Sequence, residues 1–225
     1  MRTAVYSGTR NLYPDMVTAV KSLLHHDGAD RVVLLIEDDE FPYTLPDCCE
    51  SMNMRDQEWF WPHGPNYCSQ WTYMVLMRAA LAKIFPEEDK VLSLDVDTIV
   101  DGDISGLWEL PLDQYYLAAA EEPNTPKAEH YVQMGVVLFN LKKMREDRMD
   151  SRLIHAINTR KFDFVEQDCI NELCQGHILL MDSKYNVNGY TKPTDDPRIY
   201  HYAAISNWNQ MPLVQKYRNM EFRVR

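Results

Sequence analysis

The sequence predicts an α/β protein, a single domain whose central sheet is mostly parallel and flanked by helices. Its 225 residues suffice for one large domain with a continuous buried core. Hydrophobic residues make up 45% of the chain and aromatic residues 11%, which is typical of folded domains and not of disordered chains. Strand and helix patterns alternate along the first part of the chain, which is the order of a βαβ unit. We therefore expect residues 1–225 to form one domain.

The first three elements are predicted to be strand, helix and strand. Residues 3–6 form a short apolar stretch, and Pro14 favours the first turn of a helix, where its missing N–H is not needed. Apolar residues then recur at helical spacing, namely Met16, Val17, Val20, Leu23 and Leu24. The continuous apolar run of residues 31–36 predicts a strand buried on both faces, as in parallel sheets. We expect the crossover between the two strands to be right-handed.

An irregular loop is predicted for residues 37–69, because prolines and glycines there break any period. Its aromatic residues either anchor the loop to the core or contact a substrate; they are Trp59, Phe60 and Trp61. Residues 70–85 have apolar residues at helical spacing, and Pro86 follows them. This segment therefore predicts a helix that ends before the proline.

The remaining elements begin with a short buried strand at residues 91–94. Two further apolar strands are predicted at residues 115–120 and 135–140. Residues 167–174 predict a short helix that Gly176 can terminate. The rest of the second half is expected to be irregular, within the same α/β unit.

Charge and cysteine content restrict the function classes. Twenty-three Lys and Arg against 34 Asp and Glu give a net charge of −11, which repels nucleic-acid phosphates and anionic lipid. No apolar run approaches the roughly 18 to 20 residues that span a bilayer, and residues 1–10 lack the apolar segment typical of a signal peptide. Five cysteines without a C-x-x-C pair favour reduced thiols. We expect a cytoplasmic protein with no nucleic-acid partner and no stable membrane anchor.

The basic and aromatic tail, residues 216–225, is expected to pack against the domain or to fray. The alternative is a membrane contact, for which the tail is too short to give stable anchoring.

An acidic cluster follows the predicted strand of residues 91–94. Asp95 and Asp97 are two positions apart, so at a strand end both carboxylates can approach one cation. In open α/β sheets, ligands bind at the carboxyl ends of the strands. The pattern therefore predicts a Mg²⁺ or Mn²⁺ site that bridges to a diphosphate; the alternative is a solvated acidic loop.

Two other kinds of site have a similar acidic pattern. An EF-hand is excluded, because Ile99 and Val100 occupy its fifth and sixth positions and Gly106 stands where glutamate is required. Phosphatases of the haloacid dehalogenase type also begin with D-x-D after an apolar strand. Here Ile99 stands at their threonine position and the motif lies far from the amino terminus, so a metal-dependent phosphatase remains a minor alternative.

Four ordered segments span most of the chain. They read DKVLSLDVD at residues 89–97 with ISGLW at 104–108, MGVVLFNLKKMR at 134–145, EQDCIN at 166–171, and His201-Tyr202. Together they resemble the retaining glycosyltransferases of family 8, a group with the GT-A fold that includes bacterial lipopolysaccharide galactosyltransferases and glycogenin. The resemblance implies a GT-A (Rossmann-like) domain.

The resemblance also implies a metal and a donor. Mn²⁺ (or Mg²⁺) would be bound by Asp95, Asp97 and His201, and a UDP-sugar would be the donor substrate. Two carboxylates and an imidazole suit such a borderline metal. Residues 1–100 would form a nucleotide-binding half that ends in the D-x-D motif, and residues 101–225 a sugar and acceptor half with the histidine ligand.

Further donor contacts are implied for a larger set, namely Ser7, Thr9, Asn11, Tyr13, Arg78 and Val96 together with the two aspartates. Tyr13 would be available to stack, or else would pack at the start of the helix. Arg78 would bind ribose or diphosphate oxygens, or else face solvent.

The chemistry is implied by three residues. Gln167 matches the family residue that lies closest to the anomeric carbon, and Glu166 matches the acid beside it. Glu122 (or Glu121) matches an acid that binds sugar hydroxyls in the family. Because an amide is a poor nucleophile, Gln167 favours front-side attack, in which the acceptor hydroxyl enters on the face that UDP leaves. The expected function is metal-dependent, retaining transfer of glucose or galactose to an acceptor, carbohydrate or protein, that the sequence does not identify.

The chain departs from the family pattern at two residues and in one segment. Gln133 stands where the family often has Asn, which suggests a changed sugar or acceptor contact, and Glu166 replaces Asp. Residues 201–208 contain no lysine for the β-phosphate of the donor. The alternative function is therefore a UDP-sugar-binding protein with degraded catalysis.

Overall fold

The computed structural model describes residues 1–127 and 129–222. Nine strands are present in this part of the chain: β1 (Thr3–Ser7), β2 (Arg31–Ile36), β3 (Cys49–Asn53), β4 (Lys90–Leu94), β5 (Thr98–Val100), β6 (Leu117–Glu121), β7 (Val132–Asn140), β8 (Ile178–Leu180) and β9 (Ile199–His201). Seven of them form one sheet in the order β3-β2-β1-β4-β7-β6-β8, and β5 pairs with β9 in a second, two-stranded sheet.

The large sheet is mostly parallel, as the sequence predicted. Strands β3, β2, β1 and β4 run parallel to one another, and β6 runs parallel to β8. Strand β7 is antiparallel to both of its neighbours, β4 and β6. All nine residues of β7 are buried, because helices cover both faces of the sheet.

Seven α-helices are present in the described residues: α1 (Tyr13–His25), α2 (Leu81–Ile84), α3 (Ser105–Trp108), α4 (Leu141–Glu146), α5 (Met149–Thr159), α6 (Val165–Leu173) and α7 (Pro212–Arg218). One face packs against α1 and α3, and the other against α2, α4, α5 and α6. Pro14 lies in the first turn of α1, and the predicted apolar residues Met16, Val20 and Leu23 are fully buried. Helices on both faces of a mostly parallel sheet confirm the predicted α/β class.

Three regions differ from the sequence prediction. The segment of residues 37–69, predicted as an irregular loop, includes the strand β3. This strand lies at the edge of the sheet with all its residues partly or fully exposed, and its sequence therefore has no apolar pattern. The helix predicted for residues 70–85 is a 3₁₀ helix over Tyr73–Ala80 that continues into the single turn of α2. The second half contains α4 and α5 where irregular structure was expected.

The final helix, α7, ties the tail to the domain. The Tyr217 side chain is fully buried and donates a hydrogen bond to Asp101, 2.5 Å away. Lys216 also pairs with Asp101, and Arg218 pairs with Asp15. The basic residues of the described tail are therefore tied to the domain by ion pairs, while residues 223–225 lie outside the described residues. None of the described helices is long and apolar enough to cross a membrane.

Candidate active site

The acid pair lies at the carboxyl end of β4, near the centre of the sheet. The Asp95 N–H donates to the Gly135 carbonyl of β7, which extends the strand pairing by one residue. The Thr98 N–H and hydroxyl then bond to the Asp95 carbonyl, so the chain turns tightly into β5. Val96 points into the core, whereas the side chains of Asp95 and Asp97 are 33% and 25% exposed. Two carboxylates are thus open to a ligand at this edge.

Strand β9 brings His201 to the acid pair. Strands β5 and β9 run antiparallel, with Thr98 opposite His201. The His201 Nε2 atom lies 3.3 Å from Asp97 Oδ1 and 3.7 Å from Asp95 Oδ2. One potential ligand atom from each of the three residues lies within 4.8 Å of the other two. This donor set, two carboxylate oxygens and one imidazole nitrogen, fits a divalent cation.

Gly135 makes room for the His201 ring. A Cβ atom at this position would lie 2.1 Å from His201 Cε1, which is far inside van der Waals contact. Gly135 belongs to β7, the strand beside β4, so the ring packs directly over the backbone next to the acid pair. A glycine is therefore required here for close approach and not for an unusual φ.

Buried amides lie on the far side of the ring. His201 Nδ1 is 3.0 Å from Asn186 Oδ1, and Asn186 is fully buried just after the 3₁₀ helix Ser183–Tyr185. Asn186 in turn bonds to Gln133 of β7. Gln133, which the sequence suggested for a sugar or acceptor contact, is buried and supports this network. The role of Asn186 was missed, because no local pattern marks an asparagine that becomes buried by tertiary packing.

The protonation of the site follows from its charges. Burial lowers the pKa of His201, but the Asp97 and Asp95 carboxylates together outweigh burial, so this pKa is raised from its ordinary value of 6.5. Burial raises the pKa of Asp97, and the facing imidazolium more than compensates, so this pKa is lowered. The two pKa values shift in opposite directions because the imidazole and the carboxylate stabilise each other's charged forms, and a proton on Nε2 would compete with a cation for the same position.

Arg78 links the acid pair to α6. The side chain is 5% exposed, its Nη1 lies 2.5 Å from Glu166 Oε1, and its Nη2 donates to Asp95. Burial raises the pKa of Glu166 to about 7, against the opposing effect of the Arg78 charge. The sequence left open whether Arg78 binds the donor or faces solvent. The structure excludes the solvent-facing position, since the side chain is buried between two carboxylates.

Gln167 is held at both ends of its amide. Its Oε1 accepts a hydrogen bond from the Met134 N–H of β7, and its Nε2 donates to the Tyr131 hydroxyl, both at 3.1 Å. The Tyr131 hydroxyl donates to Asp168 at 2.6 Å. These bonds fix the half-buried Gln167 side chain between the first turn of α6 and β7. The amide is therefore oriented before any substrate arrives.

The two glutamates at the end of β6 have different settings. Glu121 accepts from Lys192 at 2.5 Å and contacts His130 at 2.7 Å. Glu122 is nearly buried and accepts a hydrogen bond from the Thr125 hydroxyl. Burial raises the pKa of Glu122, and the hydrogen bond from Thr125 opposes this effect. Among the residues that the structure describes, Glu121 has ion-pair partners and Glu122 has none.

The loop after β1 lies on the same sheet edge as Asp95, since β1 and β4 are parallel neighbours. Ser7 and Thr9 are partly exposed, and the Thr9 hydroxyl bonds to the exposed Asn11. Tyr13 is 1% exposed and donates to Asp38 at 3.0 Å. Its ring packs inside the domain and so is not free to stack on a base, which is the packing alternative left open by the sequence.

Solved structures define the class of the fold. Galactosyltransferase LgtC, solved with donor and acceptor sugar analogues, superposes with a TM-score of 0.73 over 96% of this chain and 95% of that chain, at 18% identity. Glycosyltransferase GlyE of Streptococcus pneumoniae TIGR4 also gives a TM-score of 0.73, at 23% identity, over 98% of this chain and 60% of that chain. At these identities the likeness shows the fold alone, which is the GT-A glycosyltransferase fold.

The sequence comparison then gives the family. The profile of glycosyl transferase family 8 matches residues 5–211, and the chain belongs to this family. GlyE of Streptococcus pneumoniae serotype 4 (TIGR4) is 29% identical over 93% of this chain and 57% of its own length. The lipopolysaccharide 1,2-glucosyltransferase of Escherichia coli K12 is 29% identical over 44% of this chain and 33% of its own. The chain thus spans about half or less of the length of these curated relatives.

Proposed function

We propose that the protein is a metal-dependent, retaining glycosyltransferase that transfers glucose or galactose from a UDP-sugar to an acceptor. The observation that carries this proposal is the convergence of Asp95, Asp97 and His201, whose ligand atoms lie within 4.8 Å of one another at the carboxyl end of β4. Membership of family 8 supports the transfer reaction. Both glucose and galactose stay in the proposal as donor sugars, because one similar protein is named a galactosyltransferase and another a glucosyltransferase.

Mn²⁺ or Mg²⁺ would be held by these three side chains. The donor set, two carboxylates and an imidazole, fits such an ion. A bound cation would neutralise charge on the diphosphate of the donor. In this proposal residues 1–100 form the nucleotide-binding half. The donor contacts come from the same sheet edge, namely from Ser7, Thr9, Asn11, the two aspartates and the backbone of Val96, whose side chain points into the core.

The chain's own residues support retention by front-side attack. Gln167 is fixed by Met134 and Tyr131, and its amide is a poor nucleophile. It can hydrogen-bond the reacting sugar while the acceptor hydroxyl enters on the face that UDP leaves. Arg78 holds the Asp95 carboxylate in place from the side of Glu166. Glu122 would bind a sugar hydroxyl.

A second candidate is a UDP-sugar-binding protein with degraded catalysis, favoured by the lack of lysine in residues 201–208. The phosphatase alternative rested on the D-x-D pattern after a strand, and family membership accounts for that pattern. The acceptor, carbohydrate or protein, and the cytoplasmic location stay predictions.

The donor site is tested by thermal melts with UDP, with Mn²⁺ and with both. With each ligand near 100 times its Kd, binding should stabilise the fold by roughly 2.7 kcal/mol, a rise of about 5 to 11 °C in Tm. The rise should need both components. Full stabilisation by UDP alone, or none with both, would contradict a metal-dependent donor site.

Asp97→Asn tests the metal ligands, with Asp103→Asn as the matched control. Asp103 belongs to the same acidic cluster but is exposed and bonds to Ser105 outside the candidate site. Only Asp97→Asn should abolish metal-dependent UDP binding. Turnover of UDP-glucose and UDP-galactose then separates the two candidate functions, since a binding protein would return its donor intact. The anomeric configuration of the product, read by NMR, tests retention.

A further inference from the structure

We infer that Tyr131 and Asp168 are positioning residues of the transfer reaction, because together they hold the Gln167 amide in one of its two possible orientations. The inference rests on the proposed function, in which Gln167 contacts the reacting sugar. Neither Tyr131 nor Asp168 needs to touch a substrate for this role, since both act through Gln167.

One end of the Gln167 amide faces a group that can only donate a hydrogen bond. The backbone N–H of Met134 lies 3.1 Å from one amide atom of Gln167. That atom is therefore the oxygen, Oε1, because an NH₂ group there would set two donors against each other. The Nε2 group then faces the Tyr131 hydroxyl at 3.1 Å. Gln167 donates this second bond, so the Tyr131 oxygen is the acceptor.

The Tyr131 hydroxyl has one proton of its own to donate. Asp168 Oδ1 lies 2.6 Å from it, while Lys127 Nζ and the Phe164 N–H donate to Asp168 Oδ2 at 2.7 Å and 2.9 Å. Burial raises the pKa of Asp168, but these hydrogen bonds and the Lys127 charge outweigh burial, so the pKa is lowered. The ionised carboxylate can only accept, and the Tyr131 proton therefore goes to Asp168.

Turning the Gln167 amide over would lose both of its contacts. Its NH₂ group would face the Met134 N–H, and its oxygen would face the Tyr131 hydroxyl. The single Tyr131 proton cannot satisfy the Gln167 oxygen and the Asp168 carboxylate at once. Tyr131 is 2% exposed, which leaves little room for water to supply the missing bond. Asp168 thereby makes Tyr131 an acceptor toward Gln167 and excludes the reversed amide.

The turn that begins α6 carries backbone strain next to Gln167. Val165 has a φ of 44°, in the left-handed region that is unfavourable for a β-branched residue. Such a conformation persists only where the surrounding structure holds it. Asp168 accepts from the N–H of Phe164, the residue before Val165, so one carboxylate holds both this turn and the Tyr131 hydroxyl. The strained segment is therefore the one that sets where Gln167 leaves the helix.

Solvent exchange of the Gln167 amide tests the positioning with no metal or donor present. In ¹⁵N-glutamine-labelled protein, the Gln167 side-chain NH₂ signal is assigned by its loss in Gln167→Ala. Magnetisation transfer from water then gives its exchange rate. Tyr131→Phe keeps the ring and removes the hydroxyl, and it should raise this rate by about 2- to 10-fold, the effect of one lost hydrogen bond. An unchanged rate in folded Tyr131→Phe protein would overturn the inference.

Steady-state turnover of UDP-glucose and UDP-galactose tests what the positioning contributes. Tyr131→Phe should lower kcat by about 10- to 100-fold and change the donor KM by less than about threefold, because a misplaced amide weakens contacts in the transition state. Asp168→Asn should act in the same direction. An asparagine there must offer its oxygen to Lys127 and Phe164, which leaves the Tyr131 proton without an acceptor.

Tyr116 and Asp147 provide matched controls. The Tyr116 hydroxyl donates to Asp147 at 2.9 Å, and Lys143 donates to the same carboxylate, also at 2.9 Å. Tyr116 lies before the amino end of β6, at the opposite edge of the sheet from the candidate site. Tyr116→Phe and Asp147→Asn should therefore leave kcat and the exchange rate of the Gln167 amide unchanged.

The kinetic outcomes that contradict the inference are specific. A kcat for Tyr131→Phe equal to that of Tyr116→Phe would overturn it, and so would a loss confined to KM, which would make Tyr131 a substrate-binding residue. Unaltered protein that turns over neither UDP-sugar would contradict the proposed function, whereas the exchange measurement needs no turnover. Circular dichroism and the melting curve of each variant separate loss of fold from loss of positioning.

Discussion

Replacing Gly135 by alanine should displace His201 from the acid pair. The new Cβ would lie 2.1 Å from His201 Cε1 and 2.5 Å from Nδ1. Ordinary carbon contacts begin near 3.4 Å, so the ring must retreat by at least about 1.3 Å. The ring is 2% exposed and its neighbourhood is packed, which makes this an overpacking change that costs about 1 to 3 kcal/mol. For a domain of this size the Tm should fall by about 2 to 12 °C.

The assay pairs a Mn²⁺ titration with a denaturation curve. Gly135→Ala should weaken Mn²⁺ binding at least about tenfold, because a ligand atom has moved. Gly189→Ala is the matched control, since its Cβ would meet no atom within 4 Å and should change stability by less than about 1 kcal/mol. The three atoms nearest the new Cβ all belong to His201, so the cost should largely vanish in a His201→Ala background. Wild-type Mn²⁺ affinity in Gly135→Ala, or an equal cost in both backgrounds, would refute the reasoning.

Three further predictions concern buried polar groups. Arg78→Ala leaves Glu166 buried without its cation and should cost about 3 to 5 kcal/mol in urea denaturation, with partial recovery in the double variant Arg78→Ala/Glu166→Gln. Because burial raises the pKa of Glu166 to about 7 from 4.5, the folded protein holds this proton more tightly than the unfolded chain. The stability that this proton contributes is present below pH 4.5 and is lost as the pH rises to about 7. The difference in unfolding free energy between wild type and Glu166→Gln should therefore change between pH 4.5 and about 7 and stay constant above that. Tyr13→Phe removes the hydrogen bond to Asp38 and should cost about 0.5 to 1.5 kcal/mol with no change in UDP affinity; a large loss of affinity would return Tyr13 to the donor site.

Local patterns were enough to predict the part of the site that is local. Asp95 and Asp97 directly follow an apolar strand, and a strand end at the centre of a parallel sheet is where ligands bind. His201 was placed with them only through the family resemblance, because the pairing of β5 with β9 joins segments that share no local pattern. The need for glycine at position 135 depends on the same long-range packing.

The differences between the predicted and the observed secondary structure have physical causes. Strand β3 is an exposed edge strand, so it shows no apolar alternation. Within the eight residues Tyr73–Ala80, a period of 3 cannot be separated from a period of 3.6, and a 3₁₀ helix was expected as α-helix. Helix α5 did carry a signal, since Leu153, Ala156 and Ile157 are buried at helical spacing.

The pairing of β5 with β9 also separates the folding of the sheet from the assembly of the site. All seven strands of the large sheet lie before residue 181, whereas His201 arrives with the last strand. During synthesis the sheet can therefore form while the cation site still lacks its third ligand. Pairing β9 with β5 closes the long stretch of chain between residues 100 and 199, which costs chain entropy. A bound cation would offset part of that cost. Cation affinity would then report whether a given molecule has completed its final strand pairing.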